Sequence, residues 1–452
     1  MTTPTGYSHH DRARRIPEHG HPYRDPATVF DHDRGRLLAS GALHRLSNIT
    51  QVDEPDAGPV PHNRLTHSLT VATLGRRIAL GVGADPTLVE TGCLAHDLGH
   101  PPFGHNGEMA LRTKARAHGL GFEANAQTLR ILTRLEPSTA TGGGLNLTRA
   151  SLDATCKYPW TPGPARKFGA YPDDADTLAW VRHGAPDRRL CVEAQIMDTA
   201  DDIANAVTDL TAGLRTGAIT LSPLTSASER AEFAKLAHGH FTTVAVDDID
   251  AHTNDLLGLP AVAALTRPGP GDLAAISALE HALTARFTTA ITEATKAGTG
   301  LGPHHRFTAD LVVPAHVRAE IAVLKAVHLH FVLRAPALRA RRAWQRHVID
   351  TVFDALLTAA PDLLEPRFAA AWLRADTDAA RVRVVVDQVA AYTDRCAVEV
   401  FDTLTTDRES GPVGAQIPEI RRKRDESSCV PALWPIRAPD TAEVNSMGGR
   451  GR

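Results

Sequence analysis

Ala95-His96-Asp97-Leu98-Gly99-His100-Pro101-Pro102-Phe103-Gly104-His105-Asn106-Gly107-Glu108 is the stretch on which the reading of this chain turns. Between His96 and Glu108 it sets three His, one Asp and one Glu within thirteen positions, among three Gly and two Pro. The adjacent His96 and Asp97 offer an imidazole and a carboxylate to one point, the mixed nitrogen and oxygen donors that a divalent metal takes. The Gly and Pro residues stop a helix and turn the next His and Glu back towards the same spot. The stretch predicts a metal-centred hydrolytic site at a helix end.

Two more candidate ligands lie outside the run. His67, in Arg64-Leu65-Thr66-His67-Ser68, precedes His96 by 29 residues, the length of a helix, a turn and another helix. Antiparallel packing of the two brings their ends together. Asp85-Pro86 marks the start of the second helix, an N-cap followed by Pro in the first turn. Residues 191–213 form the clearest amphipathic helix, with Val192, Ile196, Ala200, Ile203, Val207 and Leu210 on one stripe. On it, Asp198, Asp202, Asn205 and Asp209 share a face that is easily solvated. Asp201 falls beside the apolar stripe, where a carboxylate is costly unless paired or metal-bound, and is the better ligand. Two imidazoles and two carboxylates suit Mn²⁺, Fe²⁺, Co²⁺, Ni²⁺ or Zn²⁺, with Mg²⁺ less favoured by the nitrogen donors.

The remaining sequence is that of an ordinary soluble enzyme. The 452 residues are 42% hydrophobic and 22% charged, with a net charge of -3 that gives no sign of a nucleic-acid or membrane partner. Five cysteines, none in a CxxC pair, argue against a zinc ribbon or a disulfide framework and point to a reducing, cytoplasmic setting. No apolar leader and no run of about 18 apolar residues is visible. Residues 1–28 read as a mobile polar arm. Helices are expected at 34–45, from His67 to about Gly83, from Pro86 to His96, and at 106–118, 123–135 and 148–157. Further helices fit 227–298, with a break at 267–272, and about 314–406. The last 45 or so residues, with the basic run Arg421 to Arg424, read as disordered. Alternating β-branched runs are scarce, so the expected fold is all-α. The expected division is a catalytic core at 29–215 and a helical region at 216–406 packed on it.

Three blocks resemble the HD-domain superfamily, and within it the deoxyguanosine triphosphate triphosphohydrolase-like proteins. The first is Asp33-Arg34-Gly35-Arg36, Arg45-Leu46, Thr50-Gln51-Val52 and Asn63 to Leu69; the second is His96 to Glu108 with Phe122 to Gln127. The third is Leu145 to Arg149, Lys157-Tyr158-Pro159 and Asp198 to Ala204, with a weaker echo at Tyr392-Thr393-Asp394-Arg395. The resemblance implies an all-helical homo-oligomer, a tetramer or hexamer, that hydrolyses a dNTP to deoxynucleoside and inorganic triphosphate. It admits a second dNTP as an allosteric activator.

By the same resemblance the metal lies on His67, His96, Asp97 and Asp201. His105 is the catalytic histidine that protonates the leaving 5′-oxygen, Glu108 one turn on orients it, and His100 is a second active-site histidine near the phosphates. Arg64 is expected to bind the phosphates, Gln51 and Arg45 to lie near sugar and base, and Lys157 and Tyr158 to reach the phosphates. Asn205 stands where relatives usually have Tyr in contact with substrate. Ala124 replaces a common His, His44 and Ile49 replace Arg and Lys, and Gln388 replaces a Tyr. Other readings are an HD nucleotidase releasing orthophosphate and a regulatory or nucleic-acid-binding member without turnover.

Overall fold

Capping residues set the helix that begins the site. Asn63 accepts the Thr66 backbone N–H at 3.0 Å and Thr66 Oγ1 accepts that of Asn63 at 3.1 Å. This reciprocal cap starts the helix Arg64–Val82 one turn before His67, which therefore sits inside the helix. Gly83 ends it in the left-handed conformation, φ 81°. Asp85 Oδ1 then accepts from Thr87 and Leu88 to start Pro86–Ala95, as the Asp-Pro pair predicts. The single helix expected at 34–45 is two, Val29–Leu38 and Gly41–Arg45, because Ser40 caps the second by accepting the Leu43 N–H at 3.2 Å.

The computed structural model describes residues 6–18, 29–52, 62–137, 143–266 and 273–406. Among them the fold is all-α: there is no strand, only two isolated bridges, Arg14 with Thr148 and Thr50 with Asn63. Val192–Thr216 is the central helix, and its expected apolar stripe is buried along its whole length. It packs on Arg64–Val82, Pro86–Ala95, Leu273–Thr299 and Ala315–His328. These helices form the larger hydrophobic cluster, which takes residues from both sides of position 215. A second cluster joins Gly104–Ala117 to Pro336–Thr358, Asp378–Ala391 and Asp394–Thr406. The His96–Glu108 stretch crosses from one to the other: Leu98 belongs to the first core and Phe103 to the second.

Part of the expected arm is packed, which corrects that reading for residues 6–18. Tyr7 is buried and donates to Glu193 at 2.6 Å, and Arg14 donates to Asp33 and to the Asn146 carbonyl, each at 2.6 Å. The polar composition of the segment concealed these buried acceptors. Residues 1–5 and 19–28, the break at 267–272 and the tail 407–452 lie outside the described residues. Cys93, Cys156, Cys191 and Cys396 are free and buried. Among the described residues no single helix is long and apolar enough to cross a membrane.

Candidate active site

Three of the four expected metal ligands converge. His67, His96 and Asp201 present ligand atoms within 4.8 Å of one another. His67 Nε2 lies 3.0 Å and His96 Nε2 3.5 Å from Asp201 Oδ1. Asp97 Oδ1 is 3.4 Å from His96 Nε2, but this carboxylate is also held by His100 Nδ1 at 3.0 Å and by Arg64 Nη1 at 2.7 Å. The donor set fits a cation. His96 Nδ1 contacts the Cys93 carbonyl at 2.6 Å, which puts the proton of the neutral ring on Nδ1, while the buried Nε2 has no hydrogen-bond partner and faces the two carboxylates.

The charges of these side chains report the same pull. Burial favours neutral His96, but Asp97 and Asp201 outweigh it and push its pKa up to about 9. Burial alone would raise Asp97 and Asp201; instead His96 and Arg64 hold Asp97, and His67 and His96 hold Asp201, well below the ordinary carboxylate range. Lys157 completes this side, with its ammonium against Asp198 and 3.7 Å from Asp201 Oδ2. Its pKa is raised, because Asp201 and Asp198 overcome the effect of burial.

His100, His105 and Glu108 form a second group within 4.8 Å. Arg64 joins the two groups: its Nη1 donates to Asp97 and its Nη2 lies 3.2 Å from His105 Nδ1. A guanidinium only donates, so His105 Nδ1 accepts and the proton of the neutral ring sits on Nε2. His105 keeps an exposed edge on the cavity, and desolvation by the site walls, then the nearby His100 and Arg64, lower its pKa. Burial and Arg64 also lower that of His100. The expected pairing of Glu108 with His105 is replaced by this Arg64 contact. Glu108 instead pairs with Arg112 and lies 3.4 Å from Lys167. Burial opposes the ionised form, yet His100, Lys167, His105 and Arg112 hold the Glu108 pKa down to about 2.

Backbone geometry fixes this loop. Phe103 precedes the Gly104–Ala117 helix with φ 65°, and Gly104 follows at φ 57°. A Cβ on Gly104 would stand 2.6 Å from Arg64 Nη2 and 2.9 Å from the Thr50 carbonyl, so Arg64 reaches His105 only past a glycine.

The expected substrate residues divide. Gln51, His105 and Asn205 line a cavity of about 700 Å³. Gln51 Nε2 donates to Asn205 Oδ1 at 3.0 Å, and Asn205 Nδ2 donates to Asp201 Oδ1 at 2.7 Å, so Asn205 links the cavity to the His67, His96 and Asp201 group. The polar face of Val192–Thr216 was expected in solvent; Asn205 and Asp209 instead line this cavity and Asp198 is paired with Lys157. Arg45 is not in the cavity. It is buried, and donates to the carbonyls of Tyr392, Leu98 and His100 at 3.0, 2.7 and 2.8 Å. Tyr158 stacks edge-on against Trp160 away from the lining, and Arg64 is buried behind the loop at 1% exposure.

Sequence reasoning missed the far wall. Lys325 and His328 come from Ala315–His328, and Arg339, Arg342, Gln345 and Arg346 from Pro336–Thr358. Asn106, next to His105, is locked to that helix: it donates to Gln345 at 2.9 Å and to the Arg342 carbonyl at 2.8 Å, and accepts from Arg346 at 2.8 Å. The available signal was the Arg339, Arg342, Arg346 spacing of three and four, one face of a helix. Of the other departures, Gln388 donates to the Tyr392 hydroxyl at 2.6 Å and accepts from Glu365 at 3.0 Å, and Ile49 is core.

Comparison with known proteins places this geometry in a family. Residues 64–206 match the HD domain, and residues 311–403 match the phosphohydrolase-associated domain. A Streptomyces coelicolor protein is 46% identical over 89% of this chain and 98% of its own length. One from Corynebacterium efficiens is 43% identical over 85% of this chain and 93% of its own length, and one from Bifidobacterium longum 37% over 88% and 87%. All three are described as deoxyguanosinetriphosphate triphosphohydrolase-like proteins. The chain belongs to this family of HD-domain proteins, and its class of activity is that of a phosphohydrolase.

Proposed function

We propose that this protein hydrolyses deoxynucleoside triphosphates to the deoxynucleoside and inorganic triphosphate by attack of water at the α-phosphorus. The observation that carries the reading is Arg64, which ties the His67, His96, Asp97 and Asp201 group to His105 through one guanidinium. A site built this way holds an electrophile at one end and a proton donor at the other.

His67, His96, Asp97 and Asp201 would hold a divalent ion, which when bound polarises a phosphate oxygen and lowers the pKa of water. The alkoxide leaving from the sugar needs a proton, and the Nε2–H of His105 is the donor left by the Arg64 contact. A neutral imidazole is a weak acid, and the imidazolium needs a proton on Nδ1, the atom that accepts from Arg64; protonation of His105 therefore requires the charge of a bound triphosphate to draw the Arg64 guanidinium off that nitrogen. His100, with Nδ1 towards Asp97, keeps its buried Nε2 free of protein partners. Lys325, Arg339, Arg342 and Arg346 supply positive charge on the cavity wall and Lys157 beside Asp198 and Asp201, and Gln51 and Asn205 supply amides for sugar or base. Assembly as a homo-oligomer and a cytoplasmic location are parts of the same reading. Relatives named for dGTP support dGTP or another dNTP as substrate.

Product analysis with each dNTP and Mn²⁺ or Mg²⁺ tests the proposal. Deoxynucleoside and triphosphate, lost in His96→Ala and His105→Ala, support it. Orthophosphate or pyrophosphate as the product would assign another phosphohydrolase reaction. Absence of turnover with every dNTP, alone and mixed, would favour a binding role.

A further inference from the structure

Asp394, in the first turn of the helix Asp394–Thr406, sends its carboxylate away from that helix. Oδ1 accepts the Phe103 N–H at 2.6 Å, while Oδ2 accepts the Thr50 N–H at 2.9 Å and the Thr50 hydroxyl. We propose that Asp394 is a positioning residue for catalysis, a clamp that holds the Thr50-Gln51 segment and the Phe103–His105 turn in register across Arg64. The inference rests on the reading of His105 as the proton donor.

Three observations separate this from ordinary helix capping. The cap is already supplied, since Thr393 Oγ1 accepts the Cys396 N–H at 3.1 Å. Both oxygens of a side chain only 7% exposed are spent on the two segments that border the site. Phe103 is a bulky residue at φ 65°, a left-handed conformation that persists only where the surroundings over-determine it. Asp394 takes the amide of that residue. Two positions on, His105 meets Arg64, and both the Arg64 guanidinium and the Thr50 carbonyl close on the side of Gly104 where a Cβ would stand. Arg45 reinforces the clamp from the other side by tying Tyr392 to Leu98 and His100. The C-terminal helices thereby set the distance between His105 and the metal group without touching substrate.

Asp394→Asn keeps the volume but turns an NH₂ group against one of the two backbone N–H donors. The expected result is a fall in kcat of about 10²-fold, the scale of an ångström-level misplacement. KM and the affinity for Mn²⁺ alone should stay within about threefold, because the metal group is untouched. Hydrogen exchange should rise at residues 49–51 and 98–106 and stay unchanged across the Arg64–Val82 helix. Thr50→Val, which removes only the hydroxyl bond, should give a smaller change of the same pattern if Asp394→Asn does not fold. Wild-type kcat and exchange in a folded Asp394→Asn would overturn the proposal. So would parallel losses in kcat, Mn²⁺ affinity, melting temperature and exchange protection of all helices, the pattern of a general folding role. If the wild type turns over no dNTP, the function fails on its own, and the exchange pattern still decides whether Asp394 holds the loop.

Discussion

The Arg64 guanidinium lies 3.2 Å from His105 Nδ1 while its other terminal nitrogen donates to Asp97 at 2.7 Å. A planar fork with fixed N–H directions makes both contacts at once, and a point-charge ammonium makes one. Arg64→Lys should therefore fold and bind Mn²⁺, yet lose about 10²-fold or more in kcat, because His105 loses the partner that sets its tautomer. Steady-state kinetics beside a metal titration check this; an Arg64→Lys enzyme with wild-type kcat would show that His105 is oriented by something else.

Metal binding should depend on pH with a definite sign. His96 has its pKa raised to about 9 by Asp97 and Asp201, so at pH 7 it carries a proton that a bound ion must displace. Affinity should rise as pH rises from 6 to 8, by about tenfold per unit, and level off near 9. Calorimetry of Mn²⁺ binding in buffers of different ionisation enthalpy should find about one proton released at pH 7. Affinity that is flat over this range, with no proton released, contradicts the site as drawn.

The packed N-terminal segment makes a second pH-dependent prediction. Glu18 pairs with Arg36 at 2.6 Å and accepts from Asn146 at 2.8 Å; burial opposes its ionised form, but these partners lower its pKa from 4.5 to about 2. A depressed carboxylate stabilises the fold above its unfolded pKa, and that contribution is lost as pH falls from about 4.5 to 2. Allowing for its partial exposure, Glu18→Gln should cost about 1 kcal/mol at pH 7. The gap from wild type should narrow below about pH 4.5 and close near pH 2. Denaturation at pH 7, 4 and 3 measures it, and a gap independent of pH would remove the ion pair from the account.

A steric prediction concerns the path of the loop. A Cβ on Gly99 would stand 1.9 Å from the Ala124 carbonyl and 2.5 Å from the Thr128 amide, both backbone atoms that cannot swing aside. Gly99→Ala should force the loop from the Ala124–Arg130 helix and destabilise the protein by about 1–3 kcal/mol, with a larger proportional loss in kcat than in stability. Unchanged melting and turnover would mean the contact is looser than described.

Asn205 offers a test of nucleotide choice. It holds Gln51 to Asp201 through two bonds of 3.0 and 2.7 Å. Asn205→Tyr removes both and fills part of the cavity, so the ratio of kcat/KM among the four dNTPs should shift by about tenfold. An identical ratio in wild type and variant rejects a role for Asn205 in selectivity.

What the sequence revealed follows from how local each signal is. The apolar stripe from Val192 to Leu210 and the Asp85 cap are decided within a few residues, and the structure bears out those elements; of the His96-Asp97 pair, His96 meets His67 and Asp201 while Asp97 is held by His100 and Arg64. Arg45 and Glu108 were assigned by position along a motif; Arg45 is instead held by Tyr392, far along the chain, and Glu108 turns to Arg112 one helical turn on and to the distant Lys167. Tyr7 and Arg14 looked solvated because the acceptors that bury them, Glu193 and Asp33, are invisible to local composition. The basic wall of Arg339, Arg342 and Arg346 had a readable helical spacing, yet only tertiary packing turns that face to the cavity.

Hydrolysis of the preferred dNTP in ¹⁸O-labelled water tests the central claim most directly. Attack at the α-phosphorus with departure of the sugar 5′-oxygen puts one labelled oxygen into inorganic triphosphate and none into the deoxynucleoside. Label in orthophosphate or pyrophosphate, or in the 5′-hydroxyl of the deoxynucleoside, would contradict it.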